Sequence, residues 1–310
     1  MRKALFIYNP IAGKKAVVPQ LDYLFRYFQG NGWRLYPYRT TGKEDDLFLV
    51  KLLEQENFDS VIVSGGDGTL HRAANGILRS GLDLPLGIIP SGTSNDFAAH
   101  LNLPQNIESC CDVIVNGKLA KLDLGWASGS YFINVASAGL LSDIPHKTDI
   151  AMKNVMGKLA YYLKGIENIP NFRAIPLEIQ AGRRVFNEDA LLFLVVNGNT
   201  AGGFSRLAPR ASIVDGKLDV IVIKPCNLGQ MFGLFLKLFK GEHINDPRVE
   251  YFQTSHLTID CPLHVDTDLD GEPGPRFPLE IKVLSRRLPV YIPKRILPSS
   301  RRMVSSGELF

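Results

Sequence analysis

Residues 60–72 read SVIVSGGDGTLHR, and this stretch decides the fold. Ser60–Ser64 is an uncharged, β-branched run that predicts a buried strand, and Gly65–Thr69 breaks it at once. The residues that follow, Thr69–Leu78, predict a helix. Glycines let backbone N–H groups approach phosphate oxygens, and the start of a helix attracts anions. The stretch predicts a phosphate-binding strand–turn–helix unit; the alternative is a plain turn in which Asp67 caps the helix.

The segments on either side continue this alternation of apolar runs and amphipathic stretches. The predicted strands are Ala4–Tyr8, Arg34–Tyr38 and Leu84–Ile89, and the predicted helices are Leu21–Phe28, Asp46–Leu53 and Ser94–Leu101. Uncharged strands separated by helices are typical of a parallel sheet with helices on both faces. We therefore expect residues 1–125 to form an α/β domain with a parallel sheet.

From about Lys121 the pattern changes to longer β-type runs, several of them joined by short glycine turns. These runs are Tyr131–Val135, Leu177–Gln180, Ala190–Val196, Leu218–Ile223, His256–Ile259, Glu280–Leu284 and Pro289–Ile292. Two helices interrupt them, Ile150–Ile166 and Leu228–Phe239. The pattern predicts a mainly antiparallel, β-sandwich-like second domain over residues 126–289. We expect the segment from about 290 to 310 to pack back on the first domain.

Two further polar corners follow predicted strands of the first domain. Asn9–Lys14 follows the first strand, and Pro90–Phe97 follows the strand that ends at Ile89. Taken singly, the first is compatible with a plain Asn-Pro turn and the second with a helix cap. Ligands of open α/β sheets bind at the carboxyl ends of the strands. Three such corners therefore predict one shared site for a phosphate-rich ligand.

An acidic segment, HVDTDLDGE, occupies residues 264–272. In an extended chain its acids Asp266, Asp268, Asp270 and Glu272 project to one face. Taken alone, such a segment is compatible with a solvated acidic face, which is the interpretation favoured for Asp266 and Asp268.

Composition and charge narrow the class of protein. The net charge of +4 is too small to indicate a nucleic-acid-binding protein. Seven of the 35 basic residues lie within residues 281–307, which hold no acid; the remaining 28 face 31 acidic residues. The four cysteines lack metal or disulfide spacing and indicate reduced thiols, and the first apolar run ends at Tyr8, too early for a signal peptide. We expect a cytoplasmic protein.

The helix predicted at Leu228–Phe239 has a Phe/Leu face with Lys237 and Lys240 at its end. Such a helix packs on a core or contacts lipid, and the first interpretation is favoured.

The motifs GGDGT (65–69), GTSNDF (92–97) and NPIAG (9–13) together resemble the diacylglycerol kinase catalytic family. The similarity covers nearly the whole chain and is greatest to the compact bacterial lipid kinases, which are related to sphingosine and ceramide kinases. NAD kinases resemble the chain at GGDG, but their NTDE motif is absent, whereas the DGE at 270–272 fits the lipid kinases.

The resemblance implies phosphoryl transfer from ATP, with Mg²⁺, to a lipid hydroxyl, most plausibly that of diacylglycerol. The implied nucleotide site consists of Asn9, Pro10, Gly13, Thr40, Gly65, Gly66, Asp67, Gly68, Thr69, Leu70, His71 and Thr93. Thr41 is an alternative to Thr40. His71 stands where the family commonly has Asn.

The resemblance also implies the catalytic groups. Glu272 is the favoured base, with Asp270 as the alternative, and Asp67 works with Mg²⁺ on the phosphates. A second, structural Mg²⁺ is implied at Ser212, Asp215 and Lys217, where the residues alone indicate an Asp-Gly hairpin turn.

For a lipid acceptor, the resemblance implies contact with the inner face of the membrane. We expect peripheral docking in which the basic segment, including Arg301 and Arg302, attracts anionic lipid. Two other functions stay open: an NAD kinase-like enzyme with a soluble acceptor, and a nucleotide-binding regulator without catalysis. The sequence leaves the oligomeric state open.

Overall fold

The computed structural model describes residues 1–13, 17–42, 45–139 and 174–294. The predicted helix Ile150–Ile166 and the residues after 294, with Arg301 and Arg302, lie outside these ranges. Within the described ranges, no helix has both the length and the apolar character that crossing a membrane requires. All four cysteines are free, and burial raises the pKa of Cys110 and Cys111 to about 12.

The first part of the chain alternates strands and helices. The strands are β1 (Arg2–Tyr8), β2 (Trp33–Arg39), β3 (Ser60–Gly65) and β4 (Leu86–Pro90), and the helices are α1 (Leu21–Gly30), α2 (Asp45–Gln55), α3 (Asp67–Arg79), α4 (Asp96–His100) and α5 (Ile107–Asn116). The strands pair in parallel in the order β2-β1-β3-β4. Every residue of β3 and β4 is buried, as expected for a parallel sheet covered on both faces.

The start of one helix and the presence of another differ from the prediction in this domain. Helix α3 begins at Asp67 rather than Thr69, with Gly66 as its N-cap in an extended conformation. Helix α5 was missed, although Asn106 caps it by accepting the Ser109 N–H at 2.7 Å. The signal for this helix was present in the sequence, because Asn106 immediately precedes an apolar stretch.

The remaining strands are mainly antiparallel. They are β5 (Lys118–Ala127), β6 (Ser130–Phe132), β7 (Val135–Gly139), β8 (Ile175–Ala181), β9 (Arg184–Ala190), β10 (Leu192–Val196), β11 (Leu218–Ile223), β12 (Val249–Thr254), β13 (His256–Asp260), β14 (Thr267–Leu269), β15 (Glu272–Pro273) and β16 (Leu279–Ile292). Among the described residues of this part, Leu228–Lys240 form helix α6.

Two sheets face each other in the second part of the chain. The strands β12-β11-β10-β7-β14-β15 form one sheet, and β16-β13-β8-β9 extend the first sheet. Apolar side chains from both, such as Phe193, Val220, Ile259 and Ile281, form one buried cluster. A second cluster lies on the other side of β10 and β11, under α6. The predicted fold class, an α/β domain followed by an antiparallel β-sandwich, is confirmed.

Strand β16 belongs to both parts of the molecule. Its first residues pair with β13, its long run pairs with β5, and Val290 pairs in parallel with Leu86 of β4. The two strands predicted at Glu280–Leu284 and Pro289–Ile292 are therefore one strand, with a register shift between Leu284 and Leu288. The domain boundary at residue 125 stays a prediction.

The strand predicted at Tyr131–Val135 is wrong in its centre. Strand β6 ends at Phe132 and β7 begins at Val135. The backbone N–H groups of Ile133, Asn134 and Val135 point instead at the carboxylate of Asp270. A side chain more than 130 positions away in the sequence thus takes hydrogen bonds that a continuous strand would give to a neighbour.

Candidate active site

The three polar corners lie against each other at the carboxyl ends of β1, β3 and β4. A Cβ at Gly92 would lie 2.4 Å from the Cα of Gly66, and a Cβ at Gly13 would lie 2.3 Å from the carbonyl oxygen of Ser91. Both distances are far below any real Cβ contact, so the close approach of the loops requires glycine at these positions. The expected convergence of the corners is therefore present.

Asn9 links the corner that follows β1 to the turn between β3 and α3. Its Nδ2 donates to Thr69 Oγ1 at 3.3 Å, while its Oδ1 accepts the Ile11 N–H at 3.0 Å. Thr69 lies in the first turn of α3, where backbone N–H groups lack helical partners. The asparagine thus fixes the loop of β1 beside an anion-attracting helix start.

Asp67 is the first residue of α3, and its surroundings disfavour the charged form of its carboxylate. Burial, together with the neighbouring carboxylates of Asp96 and Asp270, raises the pKa of Asp67 to about 6, against the opposing N–H groups of Phe97 and Asn95. Its Oδ1 is buried and has no hydrogen-bond partner among the described residues. An orphaned carboxylate oxygen beside other acids is a suitable ligand for a divalent cation, so the residues fit Mg²⁺.

Asp96 connects this site to the second domain. Its carboxylate accepts the backbone N–H of Gly203 at 3.0 Å. Gly203 belongs to the loop after β10, and a residue of the same loop, Asn199, lies 2.5 Å from His100 Nδ1 through its Oδ1. Helix α4 is therefore held by the second domain at both of its ends.

The acidic segment does not run extended, and the expectation that its acids share one face is wrong. Asp270 (φ +55°) and Gly271 (φ +91°) form a two-residue hairpin turn between the paired residues Leu269 and Glu272. Positive φ at both positions is the signature of a type I′ turn, for which Asp-Gly is a favoured sequence. The turn sends the two carboxylates of the DGE motif in different directions.

Asp270 is fully engaged within the protein. Its carboxylate accepts the N–H groups of Ile133 (2.7 Å), Asn134 (2.8 Å) and Val135 (2.9 Å), and its side chain has 0% exposure. His71 Nδ1 lies 2.9 Å from its Oδ2. The carboxylate has little capacity left for a substrate proton, and it ties α3 to the β6–β7 connection.

Glu272 is the accessible carboxylate of the pair. Its side chain is 33% exposed, and Arg72 Nη2 donates to its Oε1 at 2.9 Å. The same Oε1 lies 3.5 Å from where a Cβ of Gly68 would stand. The Glu272 carboxylate therefore lies directly over the first turn of α3, one residue from Asp67.

The other predicted nucleotide residues lie around these groups. The hydroxyl of Thr41 donates to Asp45, the buried acid at the start of α2, whereas the Thr40 N–H donates to Tyr8 O, next to Asn9. Pro10 is half-buried and Thr93 is exposed. Gly65 is packed against Thr69, whose side chain leaves no room for a Cβ there.

Two predicted ligands of the nucleotide have side chains that face the protein. Leu70 is buried in the core of the first domain. His71 lies between Asp270 and Asn75, whose Nδ2 is 3.2 Å from His71 Nε2. The imidazole therefore joins α3 to the DGE turn through the Asp270 carboxylate.

The second predicted metal site is a turn at the start of β11. Asp215 Oδ1 accepts the Lys217 N–H at 3.1 Å, as in an ordinary Asp-Gly turn, and Ser212 is half-buried nearby in the sequence. Burial and the nearby Asp123 raise the pKa of Asp215, against the Lys217 N–H. This excess of negative charge fits a cation. No cluster of three or more acidic, His or Cys ligands occurs within the described ranges.

Three residues at the site were not predicted as functional, and Asp96 was predicted only as a member of a polar corner. Arg72 orients Glu272, Asn75 bonds the backbone of Tyr131, and Asp96 and Gly203 join the domains. The i, i+1 and i+4 spacing of His71, Arg72 and Asn75 on α3 was visible in the sequence. Their partners Asp270, Glu272 and Tyr131 were not, because they lie 56 or more positions away.

The fold and the site define a two-domain kinase, in which a glycine-rich α/β sheet faces an antiparallel sandwich that supplies the DGE carboxylates. Residues 3–127 match the profile of the diacylglycerol kinase catalytic domain, and residues 134–292 match that of the YegS C-terminal NAD kinase beta sandwich-like domain.

Curated relatives agree with both profiles. The chain is 35% identical to a diacylglycerol kinase of Bacillus subtilis (strain 168) over 295 residues, 95% of this chain and 97% of the relative. It is also 35% identical to a diacylglycerol kinase of Staphylococcus haemolyticus (strain JCSC1435), over 96% of this chain and 90% of that protein. The chain belongs to the diacylglycerol kinase family, whose members are lipid kinases.

Solved structures share the architecture. A Bacillus anthracis (strain Sterne) protein described provisionally as a diacylglycerol kinase superposes with a TM-score of 0.81 at 26% identity, covering 96% of this chain and 97% of that one. A diacylglycerol kinase structure from the same strain gives 0.71 at 25% identity, covering 96% and 98%.

Proposed function

We propose that this enzyme transfers the γ-phosphoryl group of ATP to the free hydroxyl of diacylglycerol, which yields phosphatidic acid and ADP. The observation that carries the proposal is the position of the Glu272 carboxylate over Gly68, the residue that follows Asp67. A carboxylate that can accept a proton thus lies against the turn that we propose binds phosphate. Relatives named diacylglycerol kinase support the choice of acceptor.

The nucleotide phosphates would lie on the turn that joins β3 to α3. Gly66 and Gly68 leave the backbone accessible, Gly65 makes room for the Thr69 side chain, and the N-terminus of α3 provides unpaired N–H groups and a positive dipole end. Asn9 and Thr69 border this turn on one side and Thr93 on the other. Thr40 follows β2, the strand beside β1, whereas the hydroxyl of Thr41 is engaged by Asp45.

Glu272 would accept the proton of the acceptor hydroxyl. As the proton leaves, the hydroxyl oxygen forms a bond to the γ-phosphorus, and the bond from that phosphorus to the bridging oxygen of ADP breaks. Arg72 holds the glutamate in place through its 2.9 Å hydrogen bond. Asp270 acts from behind as the group that fixes the turn, so Glu272 is preferred over Asp270 as the base.

Asp67 would hold Mg²⁺ through the carboxylate oxygen that has no protein partner. The ion supplies positive charge to the β- and γ-phosphate oxygens. Asp96 keeps the site negative and thereby strengthens the attraction for a cation. Asp215, with the carbonyls of Ser212 and Lys217, is proposed as the second, structural Mg²⁺ site, remote from the chemistry.

A lipid panel tests the proposal. The purified chain is incubated with labelled ATP, Mg²⁺ and mixed micelles that contain diacylglycerol, ceramide or sphingosine, and NAD is offered in a separate arm. We expect label in phosphatidic acid and its loss in Glu272→Gln. Phosphorylation of NAD with no lipid product would identify a soluble acceptor instead. ATP binding without turnover on any acceptor would identify a regulator and contradict the proposal.

The site of action follows from the acceptor. We propose a cytoplasmic enzyme that reaches its lipid at the inner face of the membrane, without nucleic acid as a partner. The described part of the basic C-terminal segment includes Lys282, which stacks on Trp126 with Nζ 4.0 Å from the ring centroid, and the exposed Arg286 and Lys294.

A further inference from the structure

Helix α6 leaves two large apolar side chains in solvent. Phe232 is 39% exposed and Leu236 is 49% exposed, which is unusual for side chains of this size and polarity. They are four positions apart, so they lie one turn apart on the same face of the helix. Gly233 lies on this face too, and no described atom lies within 4 Å of where its Cβ would stand. The result is an apolar strip whose largest groups project freely.

The rest of the helix is firmly held, so the exposure does not come from a loose element. Leu234 is buried, and the rings of Phe235 and Phe239 pack on Phe204 with centroids 5.6 and 6.1 Å apart. Asn227 forms a capping box with Gln230 at the N-terminus. The helix therefore has a core-packing face and a separate apolar face turned outward.

Basic groups border the strip at its C-terminal end. Lys240 is exposed, and Arg206 Nη1 donates to its carbonyl oxygen at 3.3 Å. Lys237 and Arg248 share the buried carboxylate of Asp246. Even with Glu242 counted, basic side chains outnumber acidic ones at this end. Apolar groups flanked by surplus positive charge complement an anionic lipid surface.

The strip is connected to the candidate active site through one loop. Phe204, which supports α6, directly follows Gly203, and the Gly203 N–H donates to Asp96 at 3.0 Å. Asp96 in turn acts on Asp67. The inner face of α6 thus packs on the loop whose next residue, Gly203, is hydrogen-bonded to Asp96.

We propose that the outward face of α6, formed by Phe232, Leu236 and Lys240, docks the enzyme on an anionic bilayer. The proposal rests on the proposed function, because a lipid acceptor resides in a bilayer. A second copy of the chain is the weaker occupant: two projecting side chains bury far less than the roughly 800 Å² per partner of a stable interface.

Vesicle sedimentation with the full chain tests the proposal. The vesicles contain equal parts of phosphatidylglycerol and phosphatidylcholine, and binding is measured at low salt without nucleotide. We expect Phe232→Ser/Leu236→Ser to weaken partitioning at least about tenfold. Lys240→Gln should weaken it about fivefold. The matched control Leu119→Ser/Val185→Ser removes side chains that are 52% and 62% exposed elsewhere, and should bind like the wild type.

The outcomes separate docking from catalysis. Wild-type-like vesicle binding by Phe232→Ser/Leu236→Ser would overturn the docking surface, even if the enzyme phosphorylates diacylglycerol in micelles. Vesicle binding that depends on α6, without any lipid product, would support docking and overturn the proposed function. A wild-type dimer that dissociates in this variant, with vesicle binding unchanged, would assign the strip to a second copy and overturn the proposal. Unchanged thermal unfolding verifies that the variants are folded.

Discussion

Asp270 and Glu272 are two positions apart, yet they occupy different environments. The first is enclosed by three backbone N–H groups and His71, while the second is half-exposed beside Gly68. The environment, and not the residue type, therefore assigns their roles. Substitutions that keep the shape but remove the charge distinguish the two roles.

We predict that Glu272→Gln lowers kcat by about 10²–10⁴-fold, because the hydroxyl loses its proton acceptor. Its free energy of unfolding should change by no more than about 1 kcal/mol, since the lost ion pair with Arg72 is partly solvated. Kinase assays and urea unfolding measure the two effects. Asp266→Asn, an exposed acid of the same segment, is the matched control and should retain activity.

For Asp270→Asn we predict the opposite, a large loss of stability instead of a direct effect on the proton transfer. An amide cannot accept all three N–H groups, so the variant should lose about 2–4 kcal/mol of folding free energy. Urea unfolding measures the loss. A stable Asp270→Asn protein with abolished turnover would show that Asp270 is the base after all.

Asp67 gives a prediction with a definite pH dependence. Burial and Asp96 raise its pKa to about 6, above the value of about 4 in an unfolded chain, so the folded state binds this proton more tightly. Ionisation of Asp67 thus lowers stability as pH rises from about 4 to about 6, and the full loss persists above 6.

Asp67→Asn removes that loss. Without Mg²⁺ or nucleotide, the variant should be more stable than the wild type by about 1–3 kcal/mol at pH 7.5, and the difference should vanish near pH 4. Thermal unfolding across this pH range measures the effect, with the exposed Glu54→Gln as control. Equal stability of the variant and the wild type at pH 7.5 would contradict the raised pKa of Asp67. Whatever the stability measurement shows, Asp67→Asn should lack kinase activity.

At the scale of elements, the contact between the β3–α3 turn and the β4–α4 loop depends on two glycines. We predict that Gly92→Ala lowers stability by about 1–3 kcal/mol and weakens nucleotide binding, because its Cβ would meet the Gly66 backbone at 2.4 Å. Nucleotide titration and urea unfolding measure both effects. Gly30→Ala in α1, with nothing within 4 Å, should be neutral or slightly stabilising.

The elements were largely predictable, whereas their contacts were not. The strand at Ser60–Gly65 and the helix after it follow from local apolar runs and glycines. The turn at Asp270–Gly271 was missed because alternating acids suggested an extended strand, although Asp-Gly is itself a hairpin signal. The contact of Arg72 with Glu272 spans 200 positions and leaves no local pattern.

At the scale of the whole molecule, β16 makes the two parts one folding unit. We predict that both parts unfold in a single transition, since the strand pairs with β4 on one side and with β13 on the other. The two tryptophans report on each part: Trp33 is buried in the first core, and Trp126 lies on β5 against Lys282. The fluorescence midpoints of Trp33→Phe and Trp126→Phe should coincide after correction for each variant's stability. Two separate midpoints would contradict the shared strand.

The long-range pair of His71 and Asp270 has a consequence for how the enzyme is made. The two residues are 199 positions apart, so the ribosome delivers the helix well before the turn that completes the site. At ordinary elongation rates this interval is roughly 10–40 s. During it, the glycine loops are already synthesised, but no DGE carboxylate exists to accept a proton. Synthesis therefore orders the two halves of the chemistry in time, and phosphoryl transfer begins only after the last strand of the sheet has been added.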